Sequence, residues 1–143
     1  MTTIKHPRPV SLAQSQSQIQ EHWQPECILT ANGDHSFKLA TVSGNFIWHS
    51  HPDTDEVFYC VSGGPLILDI ATNTATRHEN QGIESHSVHV GEIFKVPRGY
   101  RHRPRAERDT GILMIEKVGT VNTGDEQDSR EGQMLTVQVA EGK

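Results

Sequence analysis

Short apolar runs of four to seven residues, broken by turn formers, recur along most of this chain. They fall at 27–31, 37–43, 46–51, 56–62, 66–71, 85–90, 93–96, 102–105, 112–117 and 134–139. Between them stand Asn32-Gly33-Asp34, Gly44-Asn45, Pro52-Asp53, Gly63-Gly64-Pro65, Gly91 and Pro97-Arg98-Gly99, each a turn signal. About ten short strands at this spacing predict an all-β sandwich or small barrel. The start of the chain differs. Residues 1–10 read as a loose arm, whereas Leu12, Ile19 and Trp23 share one side of a helix that Ser11 would cap. Residues 72–84 read as a polar insertion and 119–133 as a long acidic loop.

With 143 residues the chain has room for one domain and one core. Thirteen basic against eighteen acidic residues give a net charge of −5, which argues against a general nucleic-acid binder. Cys27 and Cys60 are the only cysteines, and no CxxC occurs. Neither a disulfide framework nor a thiolate zinc site is available, and two reduced thiols fit a cytoplasmic protein. The first ten residues carry Pro7 and Pro9 and no apolar segment of a secretory leader. The longest unbroken apolar stretch, 57–61, is far short of the ~20 residues of a membrane span. Five of the eight arginines crowd into 98–108. Alternation sets Arg101, Arg103 and Arg105 opposite His102, which reads as a solvated edge strand guarded by charge rather than an anionic docking site.

Nine histidines are more than a chain of this size needs. His49 and His51 are two apart, so on a strand both rings face one side. Pro52-Asp53 turns the chain, and Glu56 opens the next run, so a hairpin would return its carboxylate opposite the histidine pair. Two imidazoles and a carboxylate make a nitrogen/oxygen site for a divalent transition metal. A second segment runs from Gly91 through Pro97-Arg98-Gly99 to His102. If the two segments pair in one barrel, His102 adds a third imidazole. His6, His22, His35 and His78 sit in polar surroundings and read as surface residues. His86 and His89, three apart, face opposite sides of a strand and do not chelate as a pair.

These two segments resemble the cupins. Gly44, His49, His51, Glu56 and Gly63 fill the first cupin motif, with four residues rather than five after the leading glycine. Gly91, Pro97, Gly99 and His102 fill the second, whose closing Asn is Ala106 here. The resemblance covers roughly residues 35–118, and the GTVNTGD run at 119–125 resembles the tail of small single-domain cupins. It implies a cupin jelly-roll β-barrel, commonly a homodimer. It also implies one divalent ion (Fe, Mn, Ni, Co or Zn) held by His49, His51, Glu56 and His102, with up to two coordination positions open. The expected layout is one domain overall: an arm or helix at 1–26, the barrel at 27–118, and a loop with a final strand packing on it at 119–143.

Strand alternation also assigns a pocket. With Glu56 inward, Phe58 and Cys60 follow it, Ile47 shares the face of His49 and His51, and Met114 or its neighbours Leu113 and Ile115 face in. Lys38, Tyr59, Tyr100 and Arg98 are candidate polar contacts. On the outer side, Phe46, Trp48, Val57, Tyr59 and Val61 are apolar, so a partner subunit is expected to cover them, with the N-terminal helix as the alternative. The expected function is a metal-dependent enzyme acting as a Lewis acid on a small oxygen-rich molecule, by isomerisation, cyclisation, elimination or decarboxylation. The competing readings are an Fe(II) dioxygenase and a ligand-binding domain without catalysis.

Overall fold

One long strand organises the barrel. In the computed structural model, which describes residues 6–72 and 82–125, the chain forms one short helix and seven strands. The helix is α1 (Leu12–Ser17), and the strands are β1 (Glu26–Ala31), β2 (His35–Asn45), β3 (Glu56–Ser62), β4 (Leu66–Ala71), β5 (Ile83–Val88), β6 (Ile93–Val96) and β7 (His102–Lys117). Every pairing is antiparallel, in the order β1-β2-β7-β3-β6, with β4 joining β7 to β5. β7 runs beside β2 from His35↔Lys117 to Asn45↔Arg105. On its other side its first half pairs with β4 and its second half with β3. One strand shared by both walls closes the antiparallel jelly roll.

Where two strands were expected at 102–105 and 112–117, the structure has this single sixteen-residue element. The intervening AERDTG looks like a break because it is polar. The ladder carries it through, with Thr110 opposite Val42 and Gly111 opposite Thr41. The expected strand at 46–51 does not form. β2 slips register between Val42 and Gly44, whose φ is 78°, and the chain leaves the ladder after Asn45. It meets β7 again through the Phe46 amide, which donates to the Pro104 carbonyl at 2.9 Å, and where His49 bridges His102. The strand expected at 134–139, residues 73–81 of the insertion and the loop beyond Asp125 lie outside the described residues.

The helix is shorter than its apolar spacing suggests. Ser11 caps it, with Oγ accepting from the Gln14 amide at 3.1 Å, but it ends at Ser17 and excludes Ile19 and Trp23. Trp23 instead takes a left-handed conformation (φ 62°) and drops its ring into the barrel mouth. There it stacks on Phe46 with centroids 4.9 Å apart. The core behind it gathers Phe58, Leu66, Leu68, Val96, Ile112 and Met114 from both walls. Phe46 and Trp48, expected on the outer side, are both buried within the chain.

The arginine cluster corrects a second expectation. β7 lies inside the sheet rather than at its edge, and its outward arginines are paired. Arg103 and Arg105 both grip the buried Asp69 of β4, through Nη2 at 2.9 Å and Nε at 2.8 Å, and Ser85 Oγ donates to the same carboxylate at 2.6 Å. The Arg103 guanidinium also lies over the Trp48 ring, 5.3 Å from its centroid. Arg108 Nε donates to the Gly64 carbonyl, and Arg98 reaches Asp55.

Burial raises the Asp69 pKa, but the bonds from Arg105, Ser85 and Arg103 outweigh it and hold the carboxyl below its usual range. A carboxyl depressed in the folded state stabilises above its unfolded pKa of about 3.9, and that contribution is lost as pH falls through the folded value. Asp69→Asn is therefore expected to cost about 2–3 kcal/mol at pH 7. The gap from wild type should close as the medium is acidified below about pH 4. Urea unfolding of both proteins at several pH values measures it.

Candidate metal centre

Four donors converge because three chain segments meet at one end of β7. His102 is its first residue, and the backbones of His49 and His102 exchange hydrogen bonds at 3.0 and 2.8 Å. That bridge fixes the loop after β2, and His51 follows two residues later. Glu56 is the first residue of β3 and is paired opposite Val96. The donor atoms of His49, His51, Glu56 and His102 lie within 4.8 Å of one another, and all four residues are buried.

The ring orientations follow from the backbone. His49 Nδ1 donates to the Ile47 carbonyl and His102 Nδ1 to the Tyr100 carbonyl, each at 2.9 Å and each two residues upstream. With the proton held on Nδ1, the Nε2 lone pair is the inward-facing atom, the tautomer a metal-binding imidazole uses. His102 Nε2 lies 3.1 Å and His51 Nε2 3.4 Å from the same oxygen, Glu56 Oε1. Lone pairs aimed at a carboxylate repel unless a cation sits among them, and this donor set suits a divalent transition metal. Burial and the neighbouring His102 and His51 push the His49 pKa well below its ordinary value, so its ring is neutral. Burial opposes ionisation of Glu56, but Glu116, His51 and His102 override it and hold its carboxyl well below the usual range. A neutral imidazole at His49 and an ionised carboxylate at Glu56 are the forms that ligate a metal ion.

A second layer stands behind Glu56. Glu116 of β7 is buried, and burial together with the neighbouring Glu56 pushes its carboxyl well above the usual range. Lys38 Nζ sits 3.1 Å from Glu116 Oε1 and donates to the Thr120 carbonyl at 3.2 Å. Lys38 thus lies inside the barrel, as expected of a pocket residue, but serves this carboxyl pair. Glu116 escaped the sequence reading, although its parity with Ile112 and Met114 on one strand face would have found it.

Beside the donors is a cavity of about 20 Å³, room for roughly one water. Its walls include Trp23, Phe46, Phe58, Ile112, Met114 and Asn122, together with His49 and Glu56. Phe58 is brought to it as alternation from Glu56 implied, and of the alternatives on β7 it is Met114 that lines it. Ile47 does not: with 46–51 out of the ladder, Phe46 takes that place and Ile47 packs at the margin of the core. Cys60 is fully buried but lies away from the cavity, against Gly64. Tyr100 is exposed on the turn before β7 and contributes only its carbonyl, to His102. Asn122 carried no periodic signal, and the helical spacing of Trp23 with Leu12 and Ile19 did not point to the cavity, because both residues stand on irregular backbone.

The profile of the family described as Cupin matches residues 28–139. The Bacillus subtilis (strain 168) protein YdbB is 32% identical over 83 residues, 58% of this chain, and the match spans only 64% of that protein. A cupin-2 domain protein from Shewanella frigidimarina is 34% identical over 76% of this chain and 93% of its own, with a TM-score of 0.62. A Neisseria meningitidis protein is 30% identical, covers 77% of this chain and 99% of its own, and superposes with a TM-score of 0.63.

Proposed function

This chain belongs to the cupin family, and from that premise we propose that it is a metal-dependent enzyme acting on a small molecule, with His49, His51, Glu56 and His102 holding one divalent ion of Fe, Mn, Ni, Co or Zn. The observation that carries the proposal is the buried convergence of three imidazoles and one carboxylate, with donor atoms within 4.8 Å of one another, beside a cavity. When bound, such an ion supplies Lewis acidity for isomerisation, cyclisation, elimination or decarboxylation. His49 and Glu56 line the cavity, so a group reaching into it lies against two of the four donors. Trp23, Phe46, Phe58 and Met114 exclude water there and receive an apolar group. The substrate is accordingly one whose oxygens are gathered at one end rather than spread along it.

Met114, an oxidisable thioether in the cavity wall, favours this chemistry over the Fe(II) dioxygenase alternative. Turnover that ceases without oxygen would reverse that preference, and ligand uptake without turnover would favour the binding-protein alternative. The proposal includes a single domain in which the arm 1–26 and tail 119–143 complete the barrel 27–118 by lending it Trp23 and Asn122. It also includes a homodimer, supported by half-buried Val57 and Tyr59 beside Ile93, which pairs with Tyr59 and is 64% exposed. A cytoplasmic location is supported by the free thiols of Cys27 and Cys60. No helix among the described residues is long and apolar enough to cross a membrane. Metal analysis of protein purified without chelator tests the central claim. About one equivalent per chain is expected, and none overturns it.

A further inference from the structure

One motif remains outside this account: the GTVNTGD run at 119–125, which follows β7. It is built against the donor-bearing loop rather than trailing from the barrel. Lys38 Nζ holds the Thr120 carbonyl at its start. At its end, the Asp125 amide donates to the Ser50 carbonyl at 3.0 Å, and the Ser50 amide donates to Asp125 Oδ1 at 2.8 Å. Ser50 is the residue between His49 and His51, so Asp125 clamps the loop at the histidine pair. Gly124 makes the close approach possible. Its φ is 59°, and a Cβ there would stand 2.2 Å from the Ser50 carbonyl oxygen and 3.0 Å from the His49 ring.

This strap delivers Asn122 into the cavity wall beside His49 and Glu56. The side chain is 8% exposed, and its Oδ1 has no hydrogen-bond partner among the described residues. A buried amide oxygen without a partner is a standing cost in stability, so its use must lie elsewhere. Apart from the candidate ligands, Asn122 is the one polar side chain in that wall; the rest is apolar.

We propose that Asn122 contacts the substrate. Its carboxamide accepts a hydrogen bond from a hydroxyl or N–H adjacent to the oxygens the metal would take, and so selects small chelating molecules that carry such a donor. The inference rests on the metal-site proposal above. The ligand class is a carbonyl or related oxygen donor with a neighbouring O–H or N–H and a small apolar remainder, in keeping with the apolar walls.

Acetohydroxamate belongs to this class and serves as the probe. Wild type, Asn122→Ala and Asn122→Leu are loaded with cobalt(II). Cobalt affinity, acetohydroxamate affinity and the melting temperature of the metal-free protein are then measured, the first two by calorimetry and visible absorption. Expected are cobalt affinities within about twofold of one another, acetohydroxamate binding weakened about tenfold in both variants, and metal-free melting temperatures equal to or above that of wild type. Unchanged acetohydroxamate affinity, or no binding of it to the cobalt-loaded wild type, overturns the assignment. A lower melting temperature together with weaker cobalt binding also overturns it, since Asn122 would then be a structural brace. Failure of wild type to take up cobalt is a separate result: it refutes the metal site itself, and this inference with it.

Discussion

Replacing His49 with alanine is expected to weaken divalent-metal binding by more than about a hundredfold. Loss of a group that merely orients a ligand costs metal sites about 10–100-fold, so losing a ligand outright exceeds that range. The substitution isolates the side chain, because the hydrogen bonds joining His49 to His102 are between backbones and survive it. In wild type, saturation to a hundred times Kd adds about 2.7 kcal/mol to folding stability, roughly an 8 °C rise in melting temperature for a domain of this size. His49→Ala should show no such rise at the same metal concentration. Its metal-free form should melt within a few degrees of wild type. The cost of removing a ring packed 5.4 Å from Phe46 and 4.4 Å from His102 is partly offset by removing a lone pair from the crowded donor cluster. Scanning calorimetry with and without cobalt or zinc reads both effects. An equal metal-induced rise in wild type and variant would remove His49 from the ligand set.

The quartet was legible because its signal is local parity and short spacing. His49 and His51 are two apart, Glu56 and His102 each open a strand, and these features survive errors in the surrounding fold. Phe58 was legible for the same reason, since it stands on a true strand whose alternation counts from Glu56, whereas Met114 was one of two alternatives until the pairing of β7 set its face. The misreadings occur where regular backbone stops. Alternation was applied to 46–51 as a separate strand, but the chain leaves the ladder after the register slip at Gly44, which exchanges Ile47 for Phe46. The spacing of Leu12, Ile19 and Trp23 mimics a helix, yet Gln-rich sequence offers little burial to sustain one, and only Leu12 lies in the helical turns. Arg103 and Arg105 looked solvated because their partner, Asp69, is more than thirty residues away in sequence. Lys38 was only a candidate polar contact, because no register argument set its facing and its partner Glu116 lies on another strand. Spacing within one segment is read from the chain, whereas pairing between segments depends on the register that closes the barrel.

Trp23→Ala is expected to cost about 3 kcal/mol of stability, or roughly 9 °C in melting temperature. Trp23 holds an unfavourable left-handed conformation for a residue with a side chain, and three contacts keep it there. Its amide donates to the Thr41 carbonyl at 3.0 Å, its indole Nε1 donates to the Ser43 carbonyl at 2.8 Å, and its ring stacks on Phe46 at 23°. Truncation removes the last two and leaves a void opening onto the cavity beside His49 and Glu56. Buried Trp→Ala changes cost about 3–5 kcal/mol, and the partial exposure of this ring at 9% places it at the lower end. Trp23→Phe keeps a stacked ring and loses only the Nε1 bond, so it should cost about 1 kcal/mol. Cobalt affinity should stay within a fewfold of wild type in both variants, because Trp23 is not among the four donors. Benzohydroxamate, bulkier than acetohydroxamate by a ring, should bind cobalt-loaded Trp23→Ala more tightly than wild type, because the indole that walls the donors is gone. A stability loss below about 1 kcal/mol in Trp23→Ala would show that this segment does not close the barrel mouth. Unchanged benzohydroxamate affinity would show that the indole does not limit what reaches the donors.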